Sequence, residues 1–136
     1  MNQPYKGEIT MKKHPVIVLS VFTGILTLSG VASAGDAAAG KAVYDGKGAC
    51  AGCHGTTGAG DGAAAAALNP KPASFAAGAF RLDTDGDGKA GTDADIGNVI
   101  RNGAAKFGGN AAMPARADFS DDEVASLIAY IHSLKK

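Results

Sequence analysis

The chain has 136 residues and balances 13 Lys plus Arg against 13 Asp plus Glu, for a formal net charge of zero. That length holds one domain. No basic excess marks a nucleic-acid surface, and no acidic tract marks a disordered tail.

The neutral average hides a boundary. Lys12 and Lys13 precede an apolar run from Val16 to Val31, which gives way to Ala32-Ser33-Ala34. Basic, apolar and small-residue regions in that order make a secretory signal peptide, so residues 1–34 are expected to be a leader cleaved after Ala34. Residues 1–10 carry no signal of their own, and Met11 is an alternative start. An uncleaved membrane anchor is the rival reading, because Pro15 to Ala34 just reaches spanning length. Gly24, Gly30 and the small-residue ending favour cleavage and a periplasmic product. Removing Lys6, Lys12, Lys13 and Glu8 leaves residues 35–136 with ten basic and twelve acidic side chains, a net charge of −2.

From Gly35 to Asp95 the only β-branched residues are Val43, Thr56, Thr57, Thr84 and Thr92. Strands need such residues, so this stretch is expected to be helix and loop. A domain this small buries only about 60–70% of its unfolded surface. Its large side chains are also few, and a prosthetic group would complete the core.

A first helix is expected from Asp36, a plausible cap, to about Asp45. Gly40 and Tyr44 share one face of it, and a glycine there lets the C-terminal helix cross closely near Tyr130. Next comes Cys50-Ala51-Gly52-Cys53-His54, the attachment string for c-type haem. Two thiols add across the haem vinyl groups, and the adjacent His reaches the iron. A thioredoxin-type dithiol would need a βαβ pattern, and a structural zinc site would need two more ligands. A disulfide across so short a loop would stabilise little.

The Ala63–Ala67 run suggests a helical turn. Asp83-Thr84-Asp85-Gly86-Asp87-Gly88 matches the first half of a calcium loop, with Asp83, Asp85 and Asp87 as ligands. Position 12 is Ala94, flanked by Asp93 and Asp95, so the match is incomplete. A solvated turn rich in Asx and Gly is the competing reading. A middle helix is expected from Asp93 or Asp95 to Asn102, stopped by Gly103, with Ile96, Val99 and Ile100 facing the core or a haem.

Met113 lies 59 positions after His54, in a loop made by Gly108, Gly109, Asn110 and Pro114, and no other methionine follows residue 34. It is the expected second axial ligand of the iron, although a lone Met more often fills a core gap. His132 is the alternative ligand and otherwise a solvated surface His. The last helix, from about Ser120 to Leu134, opens with a Ser120/Glu123 capping box. Val124, Leu127, Ile128, Ile131 and Leu134 make its apolar face.

Taken together, Gly40 and Tyr44, Cys50-x-x-Cys53-His54-Gly55, Leu68-Asn69-Pro70-Lys71-Pro72, Arg101 to Gly108, Met113-Pro114 and the final amphipathic helix resemble the class I cytochrome c family. The segments Leu68 to Pro72 and Arg101 to Gly108 look like those of small bacterial periplasmic single-haem members. The resemblance covers nearly all of residues 35–136. It implies an all-α cytochrome c fold, three to five helices wrapped round one covalently bound haem with only a ring edge near solvent. It also implies a loop carbonyl accepting from the proximal His, for which Pro70 and Pro72 are the candidates. There is no Trp, so a propionate contact would fall to another residue, with Tyr44, Tyr130 and Arg101 as possible neighbours.

The expected function is one-electron transfer between redox protein partners that dock transiently at the haem edge. The expected carrier is a monomer, not an enzyme, and binds neither nucleic acid nor, once cleaved, membrane. Two other roles compete: a haem subunit of a larger oxidoreductase complex, and a gas-binding or sensor cytochrome. Sensors of the four-helix type place the haem motif near the C-terminus, whereas here it lies near the mature N-terminus.

Overall fold

Residues 35–136, described by a computed structural model, form four helices and two 3-10 turns, with no strand among them. The helices are α1 (Ala37–Asp45), α2 (Ala51–His54), α3 (Asp93–Asn102) and α4 (Asp121–Ser133). The turns cover Ala65–Ala67 and Ala104–Phe107. The expected leader and its cleavage point lie outside the described residues, apart from Gly35. Helix α2 was not anticipated as an element; the haem motif itself coils into it.

Each long helix starts where a side chain can satisfy the free N–H groups of the first turn. Asp36 Oδ1 accepts from the Ala38 N–H at 2.8 Å and opens α1. Helix α4 opens with the expected box, Ser120 Oγ accepting from Glu123 N at 3.2 Å and Glu123 Oε2 from Ser120 N at 2.8 Å. At α3 the cap is Thr92, whose Oγ1 accepts from Asp95 N at 3.2 Å. Asp95 is therefore inside the first turn, and its carboxylate reaches back to Thr92 N at 3.0 Å.

The packing that organises the fold is α1 against α4. Gly40 is buried, and a Cβ there would overlap the Ser126 carbonyl oxygen and lie 2.9 Å from Tyr130 Cβ. Hydrogen in place of a methyl group is what lets the two backbones approach. One turn on, Tyr44 is fully buried and meets the Tyr130 ring edge-on at 5.2 Å. Ser126 Oγ accepts from Asp36 N at 3.2 Å, tying the start of α1 to the same helix. Val124, Leu127 and Ile131 of α4 join Ile96 and Ile100 of α3, together with Phe75 and Phe119, in one core cluster. Helix α3 is further fixed to α4 at the surface by Asp93 and His132, whose Oδ1 and Nε2 lie 2.7 Å apart.

Between α2 and α3 the chain has little regular structure and is laid back over α2. Gly60 N donates to His54 O at 2.8 Å, Gly62 N to Cys53 O at 3.1 Å, and Ala64 N to Gly52 O at 3.0 Å. The loop thereby occupies the peptide oxygens that a four-residue helix leaves free.

Gly40→Ala tests the helix crossing. Alanine gains about 1 kcal/mol of helix propensity over glycine, but overpacking against fixed backbone costs about 1–3 kcal/mol. A lower thermal midpoint by several degrees is expected in a calorimetric scan; an unchanged or higher midpoint contradicts the close approach.

Candidate functional site

A cavity of about 420 Å³ opens between α2, α3 and the loops. Its wall is largely apolar: Leu68, Phe80, Leu82, Ile96, Val99 and Ile100 contribute side chains. Ile96, Val99 and Ile100 thus face where the sequence placed them. Cys50, Cys53, His54 and Met113 line the same cavity, so residues far apart in sequence converge there. Both thiols are free of a disulfide. Burial pushes the Cys50 thiol above its ordinary pKa.

His54 is buried, and its Nδ1 lies 3.0 Å from the Ala73 carbonyl oxygen. A carbonyl can only accept, so Nδ1 carries the proton in the neutral ring and the lone pair sits on Nε2. The hydrogen bond of the His54 ring among the described residues is the one at Nδ1, and none is made by Nε2. Burial drives the imidazole pKa down, outweighing the upward pull of the Ala73 carbonyl, which favours the neutral, ligating form. The ring is also stacked on Phe75, with centroids 4.4 Å apart and planes inclined by 16°. Phe75 in turn stacks on Phe80 at 5.8 Å and meets Tyr44 at 6.4 Å, so the His54 plane is set by the core.

The accepting carbonyl corrects an expectation. It belongs to Ala73 rather than Pro70 or Pro72, because the oxygen that reaches Nδ1 comes one residue after the second proline. Both prolines still line the cavity, and Pro70 O accepts instead from Asn110 Nδ2 at 3.2 Å. Asn110 is a bridge that the sequence did not disclose. Its Oδ1 also accepts from Ala112 N at 2.8 Å and its carbonyl from Met113 N at 3.1 Å. The Met113 carbonyl is held by Ala104 N at 3.2 Å. Gly103, at φ +79°, turns the chain out of α3 so close to this loop that a Cβ would lie 3.1 Å from Met113 O. The Met113 loop is thus fastened at both ends.

Three other residues named from the sequence, His132, Tyr130 and Arg101, lie elsewhere. His132 is exposed and paired with Asp93, away from the cavity wall. Of the possible propionate neighbours, only Tyr44 lines the cavity, and its hydroxyl donates to Gly55 O at 2.7 Å. Tyr130 packs behind Tyr44, and Arg101 pairs with Asp121 at 2.5 Å. The cations on the wall are instead Lys71, Arg81 and Arg116.

Asp83, Asp85 and Asp87 do come together, with carboxylate oxygens within 4.8 Å of one another on the exposed loop. The Asp83 carboxylate accepts from Gly88 N at 2.9 Å and Gly86 N at 2.7 Å, and these bonds lower its pKa. Asp95 does not join them. It is 1% exposed and accepts from Thr84 N at 2.6 Å, Thr84 Oγ1 at 2.8 Å, Thr92 N and Thr92 Oγ1. Those bonds, led by the Thr84 N–H, hold its carboxyl far below the usual carboxylate range. The carboxylate pins the acidic loop to α3 and lines the cavity edge.

An all-helical domain folded round an apolar cavity, with two thiols and the adjacent imidazole on its wall, defines a haem-attachment protein. The chain belongs to the cytochrome c family, whose model, "Cytochrome c", matches residues 37–135. Membership implies covalently attached haem c and haem-based electron transfer. The residues present fit that group: free thiols, an imidazole with its lone pair unspent, and a non-polar wall. No curated protein matches the chain. A solved chain of the reducing HAO-like protein complex of Kuenenia stuttgartiensis is similar to it, at 30% identity and a TM-score of 0.56. The match covers 74% of this chain and 44% of that one, so this chain spans less than half the length of that relative.

The Asp95 network predicts an acid-limb effect. A depressed carboxyl contributes stability that is present above its unfolded pKa, about 3.9, and lost as pH falls below it. Asp95→Asn is expected to lower the melting midpoint near neutrality, with the gap to the parent narrowing below about pH 4. Parallel stability curves across that range would contradict it.

Proposed function

We propose that residues 35–136 are a periplasmic carrier of single electrons, with one haem whose iron is ligated by His54 and Met113. The observation that carries this reading is the His54 ring, its Nδ1 turned to the Ala73 carbonyl and its Nε2 left without a hydrogen bond among the described residues, on a wall that also bears both thiols. Haem iron in proteins is usually taken by His, Cys, Met or Tyr. Beyond the attachment motif the wall offers Tyr44 and Met113 of these types, and the Tyr44 hydroxyl is committed to Gly55. Met113 is left. When bound, the haem supplies a reversible one-electron change at iron, and a sulfur ligand raises its potential.

The chain's own residues perform three tasks. Cys50 and Cys53 tether the group, and His54 is oriented by Ala73 and Phe75. The apolar wall would keep water from a bound haem and so limit solvent reorganisation, and Met113 would close the iron to small molecules. Exposed lining residues Ala49, Pro70, Ala112 and Pro114, with Lys71 and Arg81, frame the edge at which a partner would dock. The leader expected at residues 1–34 supports export, and no helix among the described residues is long and apolar enough to cross a membrane.

A second reading, a haem subunit within a larger oxidoreductase, is favoured by the similarity to a chain of the HAO-like complex. Isolation from the native membrane-free fraction separates the two readings. A carrier runs as a monomer, whereas a subunit co-elutes with a partner in fixed ratio. The acidic loop is assigned a structural part, as Asx turns that shape the approach to α3. Calcium takes about six to eight oxygens, but both oxygens of Asp83 already accept from Gly86 N and Gly88 N, and the position of the bidentate acid is Ala94. Millimolar calcium should therefore release no heat on titration into the holoprotein.

Met113→Ala tests the ligand set. The variant should lose the weak long-wavelength ferric band of a sulfur–iron bond and bind carbon monoxide rapidly when ferrous. Its potential should fall by on the order of 100 mV, within the roughly 0.8 V that axial ligands span. A variant with unchanged spectrum and potential excludes Met113 as a ligand.

A further inference from the structure

Arg116 lies three residues after Met113 and lines the cavity. Its Nη1 donates to the Gly48 carbonyl at 3.0 Å and its Nη2 to the Lys47 carbonyl at 2.9 Å. The remaining edge of the fork is held by Asp118, Nε to Oδ1 at 3.0 Å and Nη2 to Oδ2 at 3.1 Å. The guanidinium carbon sits 4.1 Å from the centroid of the buried Phe119 ring. Its backbone N–H donates to Ile100 O at 2.9 Å, which anchors the residue to the end of α3.

The segment it grips needs holding. Lys47 and Gly48 lead directly into Ala49 and Cys50, and Ala49 has φ +49°, the only positive φ outside glycine among the described residues. A left-handed conformation is unfavourable for alanine, whose Cβ crowds the backbone, so this turn persists only where its surroundings determine it. The planar fork of an Arg can satisfy two successive carbonyls and a carboxylate together, which a Lys ammonium cannot do with the same geometry. Lys47 Nζ adds a second tie across the same seam, to the Asp118 carbonyl at 3.1 Å and to Glu123 at 2.9 Å.

We infer that Arg116 is a positioning residue, a strap joining the loop before Cys50 to the segment after Met113, and that it sets how firmly Met113 stays on the iron. The inference rests on the Met113 ligation proposed above. One side chain spans the chain leading into the haem tether and the chain leading away from the second ligand. Without the fork, the hydrogen bonds left between those segments among the described residues are those of Lys47, and the Met113 loop, still held at Ala104 and Asn110, loses its tie to the chain that enters the tether.

Imidazole is a suitable probe, because it takes the ferric iron only when the second ligand leaves. Its affinity is to be measured optically on the ferric holoprotein of the parent, Arg116→Gln, Arg116→Lys and Val124→Ala. Val124 is buried in the core but does not line the cavity, so its variant lowers stability without cutting the strap. With its charged hydrogen bonds to Lys47, Gly48 and Asp118 lost, Arg116→Gln should bind imidazole about tenfold more tightly than the parent. Arg116→Lys should fall between it and the parent, and Val124→Ala should match the parent. Equal affinity in parent and Arg116→Gln overturns the inference, as does an equal gain in Val124→Ala, which would show a merely structural effect. Should Arg116→Gln fail to accumulate with haem, Arg116→Lys decides, and parent-like affinity there overturns the strap. A parent that lacks the sulfur–iron band from the outset sinks the Met113 ligation itself, a failure distinct from the others.

Discussion

The contact between His54 Nδ1 and the Ala73 carbonyl decides what the cavity can do. It selects the tautomer, fixes the ring plane and leaves the Nε2 lone pair uncommitted. Leaving the buried N–H without that acceptor would cost about 1–3 kcal/mol, so the loop carrying Ala73 and the helix carrying His54 are energetically one unit. Phe75, two residues after the acceptor, stacks on the same ring, and the loop therefore sets both the direction and the tilt of the imidazole.

The hydrophobic core and the site are not separate layers. Tyr44, Phe75, Ile96, Ile100, Phe119, Leu127 and Ile131 belong to the core cluster and also line the cavity. A domain of this size has little apolar surface to spare. A rigid apolar group in a cavity of about 420 Å³ would therefore contribute to folding as well as to chemistry, since a ligand held by the folded state alone stabilises that state. The α1–α4 crossing at Gly40 provides the frame, because it places Tyr44 against Phe75, the ring on which His54 stacks, and Leu127 beside the cavity.

The parts legible in the sequence were those written in local pattern. The Ser120/Glu123 box, the α4 stripe, the Gly40 notch and the Cys50-to-His54 string each depend on residues within a turn or two of one another. The Met113 loop was legible because Gly108, Gly109 and Pro114 exclude a helix there. What escaped depends on where long loops come to rest. The acceptor for His54 is a backbone oxygen, so residue type at position 73 gives no sign of it. An aromatic at position 75, isolated in an Ala-rich loop, was the available hint that this stretch turns inward. Asp95 looked like a flanking acid of a calcium loop, but Thr84 and Thr92 capture its carboxylate, and no spacing rule foretells that. Arg116 carried no signal beyond being a cation close to Met113, and its role emerges only once residues 47 and 48 lie beside it.

The claim on which the account depends is that a haem is bonded through Cys50 and Cys53 and ligated by His54. Intact-mass measurement of the exported protein, paired with a thiol count under denaturing conditions, tests its covalent half most directly. The account predicts a mass equal to residues 35–136 plus a single haem, with no titratable thiol. A chain of unmodified mass with two reactive thiols, made where the attachment machinery is active, would contradict it.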